Sequence, residues 1–315
     1  MPSPLPGIVY TSTGMHVFFA TDGSDSARSA QAQILALPWR SPVHVTVMTA
    51  LPVPQPPLTS WIPAARQALD TAVIRLRHEA EARAREVLDE AHLAFEGKVA
   101  SVGTRMHEGN PGVKIVEMAR ACRADLVAVG TRGLGTYKGV LLGSVSDYVA
   151  NHARCSVLLA RTPPGGRRRY LVALDDSDNA VSVVRWLGEL DLSDGASIHL
   201  VKVFRSLKDF PFPDDEDDED GNGHATADRF TAWNSSPKVL EALRAQGLGP
   251  PGSRVTVEIR FGHEVPEILA SLRKFEPELL VIGAKGRNSH PDWPLGGVAQ
   301  QLIDHAPCSA LIVRP

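Results

Sequence analysis

The stretch DLVAVGTRGLGTYKGVLLGS, residues 125–144, contains the elements that decide the fold. A short apolar run ends at Gly130, and a helical pattern, SVSDYVANHA, begins at Ser144. Between them the chain is rich in glycine, with glycines at positions 130, 133, 135, 139 and 143. A short buried strand that leads through a glycine-rich segment into a helix is typical of α/β proteins.

The same pattern occurs a second time, 153 residues further along the chain. FATDGSDSA at residues 19–27 recurs as VALDDSDNA at residues 172–180, and DLVAVGTRG recurs as ELLVIGAKG. The landmarks that share this offset are Asp22 and Asp175, Gly109 and Gly262, Gly130 and Gly283, Gly133 and Gly286, Gly143 and Gly296, Cys155 and Cys308, and Arg161 and Arg314. The chain is therefore predicted to be a tandem duplication, with one domain over residues 1–162 and a second over 163–315, joined by a solvated linker, RTPPGGRRRY, at 161–170.

Each copy alternates β-rich apolar runs with helical patterns. The first copy has a long helical segment over residues 63–95, and its next helix is predicted to start with Asn110 as N-cap and Pro111 in the first helical position. Alternating strands and helices predict right-handed crossovers and a parallel sheet covered on both faces. The fold class is accordingly α/β, with two tandem doubly wound (Rossmann-like) domains.

Composition excludes several classes of protein. The 315 residues carry a net charge of −3, so no overall field favours nucleic acid or an anionic membrane. No apolar run reaches membrane-spanning length, and the first residues lack the pattern of a signal peptide. The three cysteines show no metal or disulfide spacing, which favours reduced core thiols and a cytoplasmic location.

The second copy contains an acidic surface insertion near residues 209–224. Residues 214–220 are seven consecutive acids. Such a block repels itself and is expected to stay solvated rather than to bind a ligand.

The glycine segment favours a phosphate ligand. In doubly wound sheets, ligands bind beyond the carboxyl ends of the strands at the switch point, and helix N-termini attract anions. A Walker A loop does not match, because Thr136 and Tyr137 follow Gly135, and a dinucleotide fingerprint is absent after the first strand. The spacing present is Gly130, two residues, Gly133, nine residues, and then Gly143 and Ser144.

With that spacing, ATDGSDSA, and the endings GSVSDYVANHARCSVLLAR and GGVAQQLIDHAPCSALIVR, the chain resembles tandem-domain members of the universal stress protein family. The resemblance implies a five-stranded parallel sheet in each domain and, in the nucleotide-binding branch, bound ATP. It implies that Asp22 contacts adenine or ribose, that Ala20 and Thr21 line the same strand end, and that Ala50 packs on adenine. The residues implied around ribose and phosphates are Val129, Gly130, Arg132, Gly133, Gly143, Ser144, Val145 and Ser146. Mg²⁺ would accompany ATP, held by phosphates and water rather than by protein ligands.

The second copy keeps only part of this pattern. Asp175, Val203 and Lys285 match binding positions, and Gly283, Gly286 and Gly296 keep the spacing, but Gly297 replaces the serine. The intervening arm contains Pro291, Pro294 and Asp292, which remove N–H donors and add a carboxylate. A weaker or lost nucleotide site is expected there.

Three functions stay open at this point. The first is an ATP-binding, non-enzymatic stress-response protein that acts through nucleotide-dependent conformation or association, with slow hydrolysis at most, since no residue is evident to orient water. The second is a scaffold that binds no nucleotide, in which the two copies form a pseudo-dimer and bind protein partners, and the third is a redox or nucleotide-transferase enzyme on the same fold. A separate alternative for Asp22 is that it only caps the first helix. Partners beyond nucleotide are unidentified proteins and either a homodimer or an intrachain pseudo-dimer.

Overall fold

The apolar runs of both copies form β-strands that lie side by side in one sheet. We describe the chain from a computed structural model, over residues 14–51, 63–132, 142–161, 164–192, 195–210, 237–248, 255–286 and 295–315. In the first copy the elements are β1 (Met15–Ala20), α1 (Asp25–Ala36), β2 (Val43–Leu51), α2 (Pro63–Phe95), β3 (Ser101–Glu108), α3 (Pro111–Ala121), β4 (Leu126–Gly130), α4 (Ser144–His152) and β5 (Ser156–Ala160). In the second copy they are β6 (Arg169–Ala173), α5 (Asp178–Leu187), β7 (Ser197–Phe204), α6 (Pro237–Ala245), β8 (Val255–Phe261), α7 (Glu264–Phe275), β9 (Leu279–Gly283), α8 (Gly297–His305) and β10 (Ser309–Val313).

The described strands form a ten-stranded sheet in the order β3-β2-β1-β4-β5-β10-β9-β6-β7-β8. Within each copy all five strands are parallel. The two copies meet where β5 pairs antiparallel with β10, with Leu158 opposite Leu311. The predicted pair of doubly wound five-stranded domains is confirmed, and the two sheets continue into each other at their β5 and β10 edges.

Two apolar layers cover the sheet, one on each face. One layer joins α1, α2, α5 and α6 to the sheet through side chains such as Ile34, Phe95 and Val183, and the other joins α3, α4, α7 and α8 through Ile115, Val149 and Leu302. Each layer contains residues from both copies, so the core continues across the joint. Burial on both faces explains why the inner strands β4, β5, β9 and β10 are almost uniformly apolar, whereas the edge strands β3 and β8 contain polar residues.

The helix signals in the first copy are confirmed. Helix α2 covers the predicted residues 63–95, and Asn110 caps α3 by accepting a hydrogen bond from the Val113 N–H, with Pro111 at the first position. In the second copy α6 is a helix that the sequence analysis did not predict. The linker is shorter than predicted, because Arg169 and Tyr170 belong to β6 and Tyr170 is buried. The acids at 214–220 lie outside the described residues.

The joint between the copies has a helical contact on one face. Asn151 of α4 donates to the Gln300 side chain of α8 (3.2 Å), and Gln300 donates to Asp147 (3.2 Å). On the opposite face Trp39 and Trp186 pack edge to face with ring centroids 6.0 Å apart. The intrachain pairing that the sequence left open is therefore present.

Candidate functional site

The order of the strands places a switch point between β1 and β4. From β1 the chain proceeds outward to β2 and β3, and it then returns to form β4 on the other side of β1. The loops that follow β1 and β4 therefore diverge at one edge of the sheet and leave a crevice, which is where doubly wound folds bind ligands. The segments ATDGS and GTR, residues 20–24 and 130–132, both lie at this edge.

The end of β1 is a tight turn held by its own side chains. The Thr21 N–H donates to the Met48 carbonyl (2.8 Å), and the Thr21 hydroxyl accepts from the Gly23 N–H (3.1 Å). Asp22 Oδ1 accepts from the Ser24 N–H (3.0 Å). Gly23 has a φ of +75°, which favours glycine. This turn keeps the exposed Asp22 carboxylate at the edge of the crevice.

The N-cap of α1 is Ser24 and not Asp22. The Ser24 hydroxyl accepts from the Ala27 N–H (3.3 Å). The alternative in which Asp22 serves only as the helix cap is therefore wrong. Its carboxylate still helps to close the turn, but the helix start does not depend on it.

The first turn of α1 packs directly on the chain that follows β4. The hydroxyls of Ser24 and Ser26 both donate to the Arg132 carbonyl, and the Arg132 N–H donates back to Ser26 (3.2 Å). Gly130 permits this contact, because a Cβ there would lie 2.5 Å from the Ser26 carbonyl carbon. Because the N–H and the carbonyl of Arg132 are both hydrogen-bonded to the start of α1, the group of this residue that can contact a ligand is its exposed guanidinium.

Helix α4 begins beside the same strand end. The Gly143 N–H donates to the Thr131 carbonyl (2.8 Å), which closes the base of the glycine segment. Gly143 is the N-cap and makes no side-chain capping bond. The N–H groups of the first helical turn have no intrahelical partner, and the helix dipole makes this end attractive to an anion. Ser144 is exposed there, and Val145 is half-buried.

Ser146 has a structural role in addition to any contact with a ligand. Its hydroxyl is buried and donates to the carbonyls of Thr131 (3.1 Å) and Gly143 (2.8 Å). The side chain therefore faces the base of the loop, and its backbone N–H is the group that faces the helix start. Gly133 lies outside the described residues.

The remaining predicted residues of the first copy form the floor of the crevice. Ala20 and Val129 are buried in the apolar layer below it. Ala50, at the end of β2, is half-buried and packs against the same layer. The structure thus brings the ends of β1, β2 and β4 and the start of α4 to one edge.

His107 is a polar group at this edge that the sequence analysis missed. It lies directly opposite Ala50 in the β2–β3 register. Its Nε2 atom is buried and has no hydrogen-bond partner among the described residues. Burial, together with the nearby charges of Lys114 and Arg105, lowers the pKa of His107. No motif marks this residue, because the matching position in the second copy is Arg260.

The second copy repeats the framework of the site. The Gly296 N–H donates to the Ala284 carbonyl (2.8 Å), and the Asn179 side chain donates to the Lys285 carbonyl (2.8 Å), as Ser26 does to Arg132. Gly283 ends β9, and exposed Gly297 begins α8. Lys285 and Val203 are half-buried. The backbone arrangement around the crevice is therefore common to both copies.

The side chains in the second crevice differ. Asp175 accepts from the Ser177 N–H (3.1 Å) through Oδ1, and its Oδ2 lies 2.9 Å from the point where a Cβ of Gly286 would be. Lys202 Nζ forms a salt bridge with Asp176 Oδ1 (2.5 Å), and the matching first-copy residues are Thr49 and Gly23. An ion pair thus crosses the ends of β6 and β7.

The thiols and potential metal ligands show no reactive site in the described parts of the chain. All three cysteines are free, and burial raises the pKa of Cys155 and of Cys308 to about 11. Such thiols are poor nucleophiles near neutral pH. Within the same residues, no three His, Cys, Asp or Glu side chains are grouped so that they could hold a metal ion.

Comparisons with known proteins agree with this fold. The profile of the universal stress protein family matches residues 15–161 and 166–314, which is almost all of both copies. A universal stress protein of Synechocystis sp. is 30% identical over 148 residues, 46% of this chain and 96% of that protein. One of Methanocaldococcus jannaschii is 42% identical over 62 residues, 20% of this chain and 36% of its own length.

A solved structure shows the same tandem arrangement. The crystal structure of a universal stress protein from Archaeoglobus fulgidus superimposes with a TM-score of 0.59 at 20% identity, covering 95% of this chain and 96% of that one. This similarity supports the fold. In the described part of the chain, no helix is both long enough and apolar enough for a membrane span.

Proposed function

The chain belongs to the universal stress protein family, and on this premise we propose that its first copy binds ATP and that the protein acts in a stress response through nucleotide-dependent conformation or association. One observation carries the proposal: the start of α4 is fixed at the end of β4 by the hydrogen bond from Gly143 to Thr131 (2.8 Å). The helix N-terminus and the Asp22 turn thereby share one crevice, so that phosphates and nucleoside have separate binding groups.

Each part of the nucleotide has a candidate partner. The Asp22 carboxylate accepts hydrogen bonds from ribose or adenine, and Ala20, Thr21, Ala50 and Val129 form the floor on which the base lies. The Ser144 hydroxyl and the backbone N–H groups of Ser144, Val145 and Ser146 bind phosphate oxygens. The glycines at positions 130, 133 and 143 allow the phosphates to approach the backbone closely. The Arg132 guanidinium adds a positive charge. Mg²⁺ would be held by phosphates and water.

His107 is a further candidate contact for the base. Its lowered pKa keeps the imidazole neutral near pH 7, so that one ring nitrogen is a donor and the other an acceptor. A buried Nε2 beside Ala50 loses hydrogen-bonding energy unless a ligand supplies a partner. An adenine edge is a partner of suitable chemistry.

We propose that the second copy does not bind ATP under the same conditions. The Lys202–Asp176 ion pair lies at the ends of β6 and β7. The matching residues in the first copy, Thr49 and Gly23, are smaller and uncharged. The residue that matches Ser144 is Gly297, so the second copy also lacks the hydroxyl donor at the start of α8. The expected stoichiometry is therefore one ATP per chain.

Titration calorimetry with Mg²⁺-ATP tests the proposal with a matched pair of variants. Ser144→Asp places a carboxylate where the phosphates bind, at a helix position that tolerates acids, and it should raise the Kd at least about tenfold. Gly297→Asp is the equivalent change in the second copy, where a Cβ meets nothing within 4 Å. It should leave the Kd unchanged.

The alternative outcomes are distinct. If the protein shows no ATP heat and no nucleotide copurifies, the scaffold function replaces this proposal. Equal effects of the two variants would contradict the assignment to the first copy. Rapid multiple-turnover ATP hydrolysis would overturn the proposal of a non-enzymatic protein.

A further inference from the structure

A second cavity lies at the opposite edge of the first domain. It has a volume of about 170 Å³ and opens between the C-terminal ends of α3 and α4. Arg120, Arg123 and Arg154 surround it, and Val116, Ala119 and Ala153 are among its small apolar lining residues. It lies beside the amino ends of β4 and β5, whereas the ATP site proposed above is at the carboxyl ends. The two sites are therefore separate.

The three arginines form a concentrated positive charge. All three side chains are exposed, and none forms an ion pair or a side-chain hydrogen bond with the described residues. Of the nearby acids, Glu117 pairs with Lys114 (2.8 Å), and the exposed Asp125 accepts from the His16 N–H (2.8 Å) and contributes one negative charge near Cys155. Guanidinium groups are planar forks that bind phosphate and carboxylate oxygens in pairs.

The second copy shows that the fold does not require this charge. The positions that match Arg120, Arg123 and Arg154 are Arg273, Glu276 and Pro307, so their summed charge is zero rather than +3. Arg123 and Glu276 both follow a helix end with a left-handed backbone, with φ of 53° and 48°. The turn is therefore kept while the charge changes.

Stabilisation of helix ends does not account for the whole cluster. A cation near a helix C-terminus stabilises the helix by interacting with its dipole. The last turn of α7 has Arg273 and Lys274 for this interaction, and its residue in the left-handed position is Glu276, so a cation is not needed at that position. At the matching positions of the second copy, the combination of three guanidinium groups with an apolar floor is absent.

We propose that this cavity binds a small dianionic molecule, one that carries a phosphate monoester or two carboxylates on a short carbon skeleton. The guanidinium groups bind the anionic oxygens, and the alanine and valine side chains contact the carbon atoms. The cavity volume of about 170 Å³ is smaller than the roughly 300–1,000 Å³ of pockets for drug-sized ligands, which favours a small molecule. The proposal does not depend on ATP binding at the other edge.

Calorimetry with glycerol 2-phosphate and with succinate, at low ionic strength and without nucleotide, tests this site. The wild-type chain should bind at least one of the two probes, and Arg123→Glu with Arg154→Gln should weaken that binding at least about tenfold. Arg273→Gln, which removes the one guanidinium that the second copy keeps at these three positions, should have no effect. Ser144→Asp should also have no effect, which separates this site from the proposed nucleotide site.

The melting temperature of each variant is measured in parallel. If the double variant does not fold, the single Arg154→Gln replaces it, and a loss of binding of about threefold or more is expected. If neither probe at about 10 mM, roughly ten times a Kd of 1 mM, produces binding heat, the proposal is overturned. Equal binding by the variant, or loss of probe binding in Ser144→Asp, would also overturn it.

Discussion

Lys202 and Asp176 form a salt bridge in the second copy that has no counterpart in the first. The Nζ–Oδ1 distance is 2.5 Å, and the Lys202 side chain is 3% exposed. Lys202 Nζ also lies 4.7 Å from the centre of the Phe204 ring. An ammonium group this deeply buried needs an oppositely charged partner, because its removal from water costs several kcal/mol that the partner's attraction offsets.

Removal of one partner should therefore destabilise the protein strongly. Asp176→Asn leaves the Lys202 charge without its carboxylate, and we expect a loss of about 3 kcal/mol in the free energy of unfolding. Lys202→Met combined with Asp176→Asn removes both charges and should cost clearly less. Urea unfolding at pH 7 measures both values. A double variant less stable than Asp176→Asn would contradict the ion-pair argument.

A reciprocal pair of arginines joins the two copies. Arg161 donates from its guanidinium to the Ile303 carbonyl of α8 (2.8 Å), and Arg314 donates in the same way to the Ala150 carbonyl of α4. Each arginine thus satisfies a carbonyl at the C-terminal end of a helix in the other copy. The two positions are 153 residues apart, and so are the two carbonyls.

We expect Arg161→Met to lower the free energy of unfolding by about 2 kcal/mol, since it removes a charged hydrogen bond to a partly buried carbonyl. Arg314→Met should have a similar effect. Arg83→Gln, on the exposed side of α2, is the control and should stay within about 0.5 kcal/mol of the wild type. Chemical unfolding followed by circular dichroism is sufficient. If Arg161→Met matches the control, the contact does not stabilise the joint.

The domain fold was predictable because it depends on short-range patterns that occur twice. Apolar runs such as LVAVG and the cap at Asn110 are local features of the sequence, and the apolar runs recur 153 residues further along the chain. The joint was not predictable. Arg161 and Arg314 appear in sequence as a matched pair, but their partners lie more than 140 residues away, and nothing local identifies a carbonyl as an acceptor.

The candidate site was predictable only in its outline. Glycine spacing located the crevice, but it did not reveal that the Ser146 hydroxyl faces the loop base or that α1 uses the backbone of Arg132. Those contacts depend on how close α1 packs to β4. His107 and Lys202 were missed because their significance comes from neighbouring strands rather than from a motif.

Gly130 and Gly283 occupy equivalent positions but should respond differently to substitution. A Cβ on Gly130 would lie 2.4 Å from Ser26 Oγ and 2.6 Å from the Ala27 nitrogen, so the backbone of α1 must move. On Gly283 the nearest atoms are 3.4 Å away, an ordinary contact distance. The close approach of α1 is thus a property of the first copy.

Gly130→Ala should cost about 2 kcal/mol because it overpacks this contact, and Gly283→Ala should be neutral or slightly stabilising. Thermal unfolding of both variants provides the comparison. Equal losses would indicate that the strand end, rather than the contact with Ser26, determines the need for glycine.

We expect His16 to make the stability of the protein depend on pH. Its ring nitrogens are hydrogen-bonded to the Cys122 carbonyl (3.0 Å) and to the Thr46 hydroxyl (2.9 Å). Burial lowers the pKa of His16, and among the smaller effects the Cys122 carbonyl and Asp125 raise it while His44 lowers it further. The unfolded chain therefore binds a proton at a higher pH than the folded chain does.

The resulting stabilisation is fully present above the unfolded pKa of about 6.5 and is lost as the pH falls through the lower folded pKa. We expect the free energy of unfolding to decrease between pH 7.5 and 5.5, with His16 contributing at most about 1.4 kcal/mol per pH unit. His16→Gln keeps a hydrogen-bonding side chain without this titration, so its stability should change less over the same interval. Urea unfolding at both pH values measures the difference. If the variant loses as much stability on acidification as the wild type, other groups cause the pH dependence, because removing His16 would then have left the number of protons taken up on unfolding unchanged.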